Sequence, residues 1–172
     1  MFEWLKLALA NSKDIYYPLP KYNGRYPVIS SKGHWNNKSR PTHNGVDIMY
    51  KRLKTDNIPV KDGKGAKHFI VPKGTVVHAV KDGIVRSKSY GKIKTGYRLW
   101  IQHEDGYRSG YFHLSSIIAL PGRFVPAGSP IGIVGDNPSA HDPRHLHFEV
   151  SYGVNYKPVN PVRFLSRAKF IG

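Results

Sequence analysis

Residues 144–150, with the sequence Arg-His-Leu-His-Phe-Glu-Val, constrain the fold more than any other stretch of this chain. Apolar and polar residues alternate here, and β-favouring Phe and Val close the segment, so the pattern predicts a strand. Successive side chains of a strand point to opposite faces, which places His145, His147 and Glu149 together on the face away from the core. The alternative is the polar outer face of an ordinary strand. Two imidazoles and a carboxylate in a row favour a metal or catalytic site instead.

Several other segments predict strands joined by tight turns. Residues 46–48 follow an Asn-Gly turn signal and begin a strand. Residues 69–86 predict two strands that form a hairpin at Lys-Asp-Gly (81–83), and residues 97–113 predict a second hairpin around Glu-Asp-Gly (104–106). Val71 to Val77 resemble residues 125–131, which indicates a duplicated β unit. We therefore predict a mainly β fold built on an antiparallel sheet.

The first 37 residues differ from the rest of the chain. Apolar residues recur at helical spacing over residues 1–12, which predicts a short amphipathic helix. An irregular lead-in rich in Tyr, Pro, Gly and Asn follows, and it either covers or builds a cleft. Glu3 and Lys6 interrupt the apolar start, so we expect no cleavable signal peptide. The expected division is an N-terminal segment, 1–37, and a main domain, 38–172.

Composition limits the chemistry and the partners. The 172 residues suffice for one domain with a real core, and no apolar run approaches the roughly 20 residues of a membrane span. Cysteine is absent, which leaves His, Asp and Glu as the strong metal ligands. The net charge of +16 is spread over the domain and favours association with a polyanion. Nucleic acid, anionic wall polymers and lipopolysaccharide all fit that charge.

Nine histidines are present, and three settings among them point to catalysis. These are His43 with Asp47, His113 in Tyr-Phe-His-Leu-Ser, and the pair His145 and His147. A catalytic zinc site needs three protein ligands and an open position, and the reaction also needs a proton acceptor and a group that steadies the oxyanion. His43, Asp47 and one histidine of the pair can supply the ligands. The other histidine of the pair and His113 then supply the remaining roles, and the residues alone leave that choice open.

Three motifs in this order resemble the lysostaphin-like (LytM-type) zinc metallopeptidases. They are His-Asn-Gly-Val-Asp at 43–47, Tyr-Phe-His-Leu-Ser at 111–115 and His-Leu-His-Phe-Glu-Val at 145–150. The stretches Val-Pro-Lys-Gly-Thr-Val-Val at 71–77 and Gly-Ser-Pro-Ile-Gly-Ile-Val-Gly at 128–135 agree as well. The resemblance covers about residues 40 to 165, and the three-part His/Asp pattern is highly specific.

The resemblance implies an antiparallel barrel-sandwich of the duplicated hybrid type, with a groove, and makes residues 38–172 a zinc endopeptidase domain that hydrolyses bacterial peptidoglycan. It implies that one Zn²⁺ is bound by His43, Asp47 and His147, and that His113 and His145 are catalytic. Strand alternation adds Glu149 as a partner of a ligand imidazole.

One segment departs from the family pattern. A Gly-rich turn usually precedes His-Leu-His, whereas residues 136–144 are bulkier and carry His141 and Asp142. We therefore expect the groove rim, and the peptide it accepts, to differ. His141 is either an extra group on the groove rim or a solvated loop residue, and we favour the second interpretation. The remaining histidines are interpreted as surface or strand residues without a role in the site: His34, His68, His78 and His103.

Two other functions compete with the enzyme. A non-catalytic wall-binding or regulatory module on the same fold would be expected to lose ligands, and all five His and Asp positions are present here. A nucleic-acid-binding domain has only the net charge in its favour, without a recognised motif, and we expect no specific nucleic acid partner. We expect a monomer that acts on the extracytoplasmic wall, and the absence of a signal peptide suggests a phage lysis or virion protein.

Overall fold

The structure, a computed structural model, describes five stretches of the chain, which are residues 14–31, 33–58, 66–93, 95–136 and 143–172. Within them, twelve strands belong to one antiparallel sheet, and the helical content is one short α-helix and one 3₁₀ turn. The predicted mainly β architecture is confirmed. The helix predicted over residues 1–12 lies outside the described residues. No helix in the described part of the chain is long and apolar enough to cross a membrane.

The strands are short, and the longest of them cross the middle of the sheet. A 3₁₀ turn spans Ser87–Ser89. In chain order the strands are β1 (Val28–Ile29), β2 (Gly45–Lys51), β3 (Phe69–Ile70), β4 (Val76–His78), β5 (Gly83–Val85), β6 (Gly91–Ile93), β7 (Gly96–Gln102), β8 (Tyr107–Ile117), β9 (Phe124–Val125), β10 (Pro130–Val134), β11 (Leu146–Tyr152) and β12 (Lys157–Val159), and α1 spans Pro161–Leu165.

The sheet runs in the order β1-β2-β11-β8-β7-β5-β9, and the other strands pair at its sides. The strand predicted at residues 144–150 is β11, which lies between β2 and β8 in the middle of the sheet. Its apolar residues are buried, whereas His147 and Glu149 are partly exposed on the opposite face. The predicted alternation is therefore present.

The second hairpin predicted from the sequence is present, and the two copies of the repeat pair with each other. β7 and β8 form the hairpin around residues 104–106, with Gln102 opposite Arg108. The two copies of the repeat provide β4 and β10, which pair with each other, so that Val76 lies opposite Ile133. The duplicated unit thus joins two distant parts of the chain into one sheet.

The hairpin predicted at residues 81–83 is wrong. β4 pairs with β10, whereas β5 pairs with β7 and β9. The backbone between β4 and β5 bonds elsewhere, because the amide of Ala79 donates to Ser129 and the amide of Val80 donates to the Tyr111 hydroxyl. The Asp82 carboxylate accepts from the amide of Ala127 at 2.6 Å. These bonds direct the two strands to different partners.

The described part of the lead-in belongs to the main fold. Leu19 is fully buried and Tyr17 nearly so, both within the hydrophobic core. β1 pairs with β2, and the amide of Ser30 donates to the carbonyl of Asp47. Residues 14–31 and 33–37 therefore help to build the strand that carries Asp47.

A buried polar network crosses the core beneath the sheet. His103, which is 2% exposed, donates its Nδ1 proton to the carbonyl of Asp82 at 2.7 Å. Its Nε2 lies 2.9 Å from the Ser109 hydroxyl, which lies 2.9 Å from the Tyr111 hydroxyl. Burial lowers the pKa of His103 to about 4, because a charged imidazole is disfavoured where water is excluded. The ring is therefore neutral at physiological pH.

We expect the stability of the fold to decrease as the pH falls from about 6.5 towards 4. In that window the unfolded chain protonates His103 and the folded chain does not, so folding loses up to about 1.4 kcal/mol per pH unit from this residue. Urea unfolding measured between pH 7 and pH 4.5 should show a shallower pH dependence for His103→Gln than for the wild type.

The matched control is His68→Gln, which replaces an exposed histidine and should keep the wild-type pH dependence. Equal slopes for His103→Gln and the wild type would contradict the assignment of this effect to His103.

Candidate metal centre

Three neighbouring strands bring the site together. His147 on β11 lies directly opposite Asp47 on β2 and opposite Phe112 on β8. His43 comes two residues before β2, and His145 comes one residue before β11. The antiparallel register therefore collects residues that are about 100 positions apart in the chain.

Three side chains point one donor atom each at a common centre. His43 Nε2 lies 3.2 Å from Asp47 Oδ1 and 3.1 Å from His147 Nδ1, and the latter two atoms are 2.9 Å apart. Metal bonds of about 2.0–2.2 Å at tetrahedral angles set neighbouring donor atoms roughly 3.3–3.5 Å apart. The triangle is close to that size and could hold a metal ion. Two imidazoles and a carboxylate are a donor set that suits zinc.

Each of the three side chains is held by a second contact. His147 Nε2 lies 3.0 Å from Glu149 Oε1, and His43 Nδ1 donates to the carbonyl of His34 at 3.0 Å. Arg40 Nη1 donates to Asp47 Oδ2 at 2.5 Å, which leaves Oδ1 for the centre. Contacts of this kind fix ring orientation and tautomer in metal sites.

Two glycines make room for the triangle. A Cβ atom on Gly45 would lie 2.7 Å from His147 Nε2 and 2.6 Å from the carbonyl oxygen of Phe148. A Cβ atom on Gly33 would lie 2.5 Å from the Cβ of Asp47. Gly33 also accepts a hydrogen bond from the amide of Asp47, so the lead-in backbone lies directly against β2 at this point.

The electrostatics of the site depend on the two carboxylates. Burial pushes the pKa of Asp47 up, but the hydrogen bond from His147 and the charges of the surrounding histidines lower it below its usual range. Burial pushes the pKa of His147 down, but the hydrogen bonds to Asp47 and Glu149 outweigh it and raise that pKa to about 9. His147 thus lies between two carboxylates that favour a positive charge on its ring.

Two further histidines lie beside the triangle. His145 Nε2 is 3.6 Å from Asp47 Oδ1, and the ring centroids of His113 and His145 are 4.7 Å apart. Each ring donates its Nδ1 proton to a backbone carbonyl, His145 to Pro143 at 2.8 Å and His113 to Thr95 at 3.0 Å. Because a carbonyl can only accept, Nδ1 of each ring carries the donated proton, and Nε2 is the nitrogen left for other partners.

His113 has an unusual backbone conformation, with φ at +62°. The pairing of β8 with β7 shifts register at this point, since Tyr97 lies opposite Leu114 and Leu99 lies opposite Tyr111, as in a β-bulge. Positive φ is costly for a residue with a side chain, and such strain concentrates at functional sites. Here the bulge turns the imidazole towards His145. Burial, followed by the charge of His145, lowers the pKa of His113 to about 4.

An open cavity of about 430 Å³ lies against the triangle. Its walls are the segment before β2 and the exposed face of β11, and the lining residues include Arg40, His43, His147 and Glu149. His43 and His147 thus border an open space, and an open position beside the ligands is what distinguishes a catalytic metal site from a closed structural one.

The structure brings together every residue that the sequence singled out for chemistry. His34 and His68 are exposed, whereas His78 and His103 are buried away from the site, and His141 lies outside the described residues. Sequence reasoning missed Arg40. It also missed the carbonyl groups that orient His43 and His113, because every residue has a backbone carbonyl and the sequence does not indicate which one accepts. Arg40 stands three residues before His43, and that proximity was its only signal.

An ion pair links the two ends of residues 136–144, the segment that departs from the family pattern. Arg144 is 4% exposed, forms an ion pair with Asp136 and donates to the carbonyl of Val71 at 2.8 Å. This anchoring fixes the backbone just before His145.

The chain matches the sequence model of Peptidase family M23 over residues 61–161. It is also 32% identical over 142 residues to Peptidoglycan DD-endopeptidase ShyA of Vibrio cholerae. That alignment spans 81% of this chain and 29% of ShyA, so the chain corresponds to less than a third of that relative.

Two solved structures resemble the fold. A zinc-containing peptidase from Vibrio cholerae superposes with a TM-score of 0.57 at 26% identity, over 85% of this chain and 39% of that one. Lysostaphin from Staphylococcus simulans superposes with a TM-score of 0.61 at 21% identity, over 93% of this chain and 57% of that one. The lysostaphin-like architecture expected from the sequence is confirmed by this likeness.

We expect Glu149→Ala to weaken metal binding by about 10- to 100-fold, because it removes the acceptor that orients His147. Competition with a chromophoric chelator measures the affinity directly. Glu149→Gln keeps an acceptor oxygen in the same place and should lose less metal affinity than Glu149→Ala. An affinity unchanged in Glu149→Ala would show that this contact does not support the site.

Proposed function

This chain belongs to peptidase family M23, and from that membership we propose that it is a zinc-dependent endopeptidase that hydrolyses peptide cross-links or stem peptides of bacterial peptidoglycan. The resemblance to lysostaphin-like metallopeptidases, stated from the motifs alone, is confirmed by the family match and by the relatives. The substrate is taken from ShyA, whose name describes a peptidoglycan endopeptidase.

The observation that carries the proposal is the triangle of His43 Nε2, Asp47 Oδ1 and His147 Nδ1 with two further histidines beside it. We assign the three triangle residues as the ligands of one Zn²⁺ and assign His113 and His145 as catalytic. When bound, zinc would supply a Lewis acid for the scissile carbonyl and would acidify the attacking water.

The histidines beside the triangle are suited to proton transfer. His145 is anchored through Nδ1, so its free Nε2 can take a proton from the attacking water and then pass it to the leaving amine. His113 is neutral before the reaction because its pKa is low. Its Nε2 is the second group that can accept the proton of the attacking water. The imidazolium then donates a hydrogen bond to the oxyanion until that proton passes to the leaving amine. The Glu149 carboxylate is already used by His147, so a histidine is the better base.

The basic surface supports a wall substrate. The chain carries 27 Lys and Arg residues against 11 Asp and Glu residues, and this excess would draw it to anionic wall polymers or lipopolysaccharide. The proposed site of action is therefore the extracytoplasmic wall. A non-catalytic wall-binding module on the same fold is the competing function, and it would need neither His113 nor His145.

The test combines zinc content with digestion of purified peptidoglycan, followed by mass spectrometry of the products. We expect one zinc per chain and new peptide termini that disappear when a chelator is added. His145→Ala should keep its zinc and lose about 100-fold or more of its turnover, because general acid–base catalysis contributes about that much.

His68→Ala is the matched control, since it removes an exposed histidine away from the site and should retain full activity. Bound zinc with no cleavage of any wall preparation would instead favour the binding module. Near-wild-type turnover by His145→Ala would disprove the role assigned to that residue.

A further inference from the structure

A second row of side chains leads away from the metal centre along the same sheet face. β8 alternates, so Phe112, Gly110 and Arg108 lie on the face that carries His147, whereas Tyr111 points into the core. Phe112 lies opposite His147 in the register, and Arg108 lies opposite the other end of β11. At about 3.3 Å per residue, Arg108 is roughly 13 Å along the strand from Phe112.

The row is an unbroken series of ring contacts. The Phe112 ring packs edge-on against His147 at 5.4 Å and against Trp100 at 5.5 Å between centroids. The Arg108 guanidinium then lies 3.9 Å from the centroid of a Trp100 ring and 3.8 Å from that of Tyr156. A guanidinium stacked on two aromatic rings is held in one plane.

Glycine at position 110 is required for this arrangement. A Cβ atom on Gly110 would lie 2.7 Å from the Trp100 ring, so any side chain there would displace the tryptophan. Trp100 is 8% exposed yet does not belong to the main core cluster. Instead, the Arg108 guanidinium packs on the Trp100 ring, on the face of the sheet opposite the core.

The positive charge of Arg108 is not neutralised by a carboxylate. Its Nε donates to the Ser151 hydroxyl at 3.3 Å, and no carboxylate pairs with it in the part of the chain that the structure describes. Glu149 is close enough for its charge to act on Arg108, but its carboxylate is hydrogen-bonded to His147. Arg86 adds a second positive charge nearby. The ends of the guanidinium therefore remain available to an anion.

We propose that Arg108 binds a carboxylate of the peptide substrate and makes the protein select anionic peptides. The planar fork of a guanidinium matches a carboxylate with two parallel hydrogen bonds. A distance of roughly 13 Å corresponds to about four residues of extended chain, so the carboxylate lies that far from the bond that is cut. This inference rests on the proposed function for the identity of the substrate.

The probes are soluble cross-linked muropeptides, one sample untreated and one amidated at its carboxylates with carbodiimide and ammonia. The wild type should show a kcat/KM about 10- to 100-fold higher for the untreated sample, the range expected for a charge-assisted pair. In Arg108→Gln the ratio of kcat/KM for the untreated sample to kcat/KM for the amidated sample should fall close to 1. Arg108→Lys keeps the charge but loses the fork, and should give an intermediate ratio.

Arg163→Gln is the control, because it removes the same charge from an exposed position on α1 and should keep the wild-type ratio. If Arg108 serves only to cover Trp100, Arg108→Gln will lower kcat/KM for both samples equally and leave the ratio unchanged. That result would overturn the proposal.

A binding measurement separates this inference from the proposed function. Dissociation constants for both samples are measured with zinc-loaded His145→Ala protein, with and without Arg108→Gln. A preference for free carboxylates that disappears with Arg108 supports the inference even if no preparation is cleaved, in which case only the proposed function fails. Cleavage with no dependence on Arg108 in either measurement leaves the proposed function intact and refutes the carboxylate site.

Discussion

The register between β2 and β11 is the constraint on which the rest of the site depends. His147 meets Asp47 only because these residues are direct partners across the two strands. Since side chains alternate, a slip of one residue would turn His147 into the core and bring Leu146 or Phe148 to the outer face. Burial of those two apolar side chains, both fully inaccessible to solvent, therefore specifies the metal centre as well as the core.

The lead-in and the glycines convert that register into a usable geometry. Gly33 lies against Asp47, and Gly45 leaves the space that the His147 ring occupies. Arg40 then takes one oxygen of Asp47, which leaves the other for the centre. None of these three residues is itself one of the three donors. Each decides instead where a donor atom lies, and so the segment before β2 is part of the site's structure as much as the strand itself.

The sequence was sufficient for the strands with clear alternation and for the side chains with unusual chemistry. Alternation places His147 and Glu149 on one face whatever the neighbouring strands are. It says nothing about which strand lies beside which, and so residues 81–83 were wrongly predicted to close a hairpin. Pairing there depends on Asp82 and on the Tyr111 hydroxyl, contacts between parts of the chain that are far apart. The bulge at His113 was equally unpredictable, because it arises from the shift in pairing with β7.

The histidines differ in charge because their neighbours differ, although the residue type is the same. His103 has only neutral hydrogen-bond partners in the core, and burial keeps it uncharged. His147 is also largely buried, but Asp47 and Glu149 raise its pKa to about 9. The two carboxylates therefore favour a positive charge between them, and the proton on the His147 ring supplies one. A metal ion bound at Nδ1 must displace that proton, and the two carboxylates that favour the proton also favour a divalent cation.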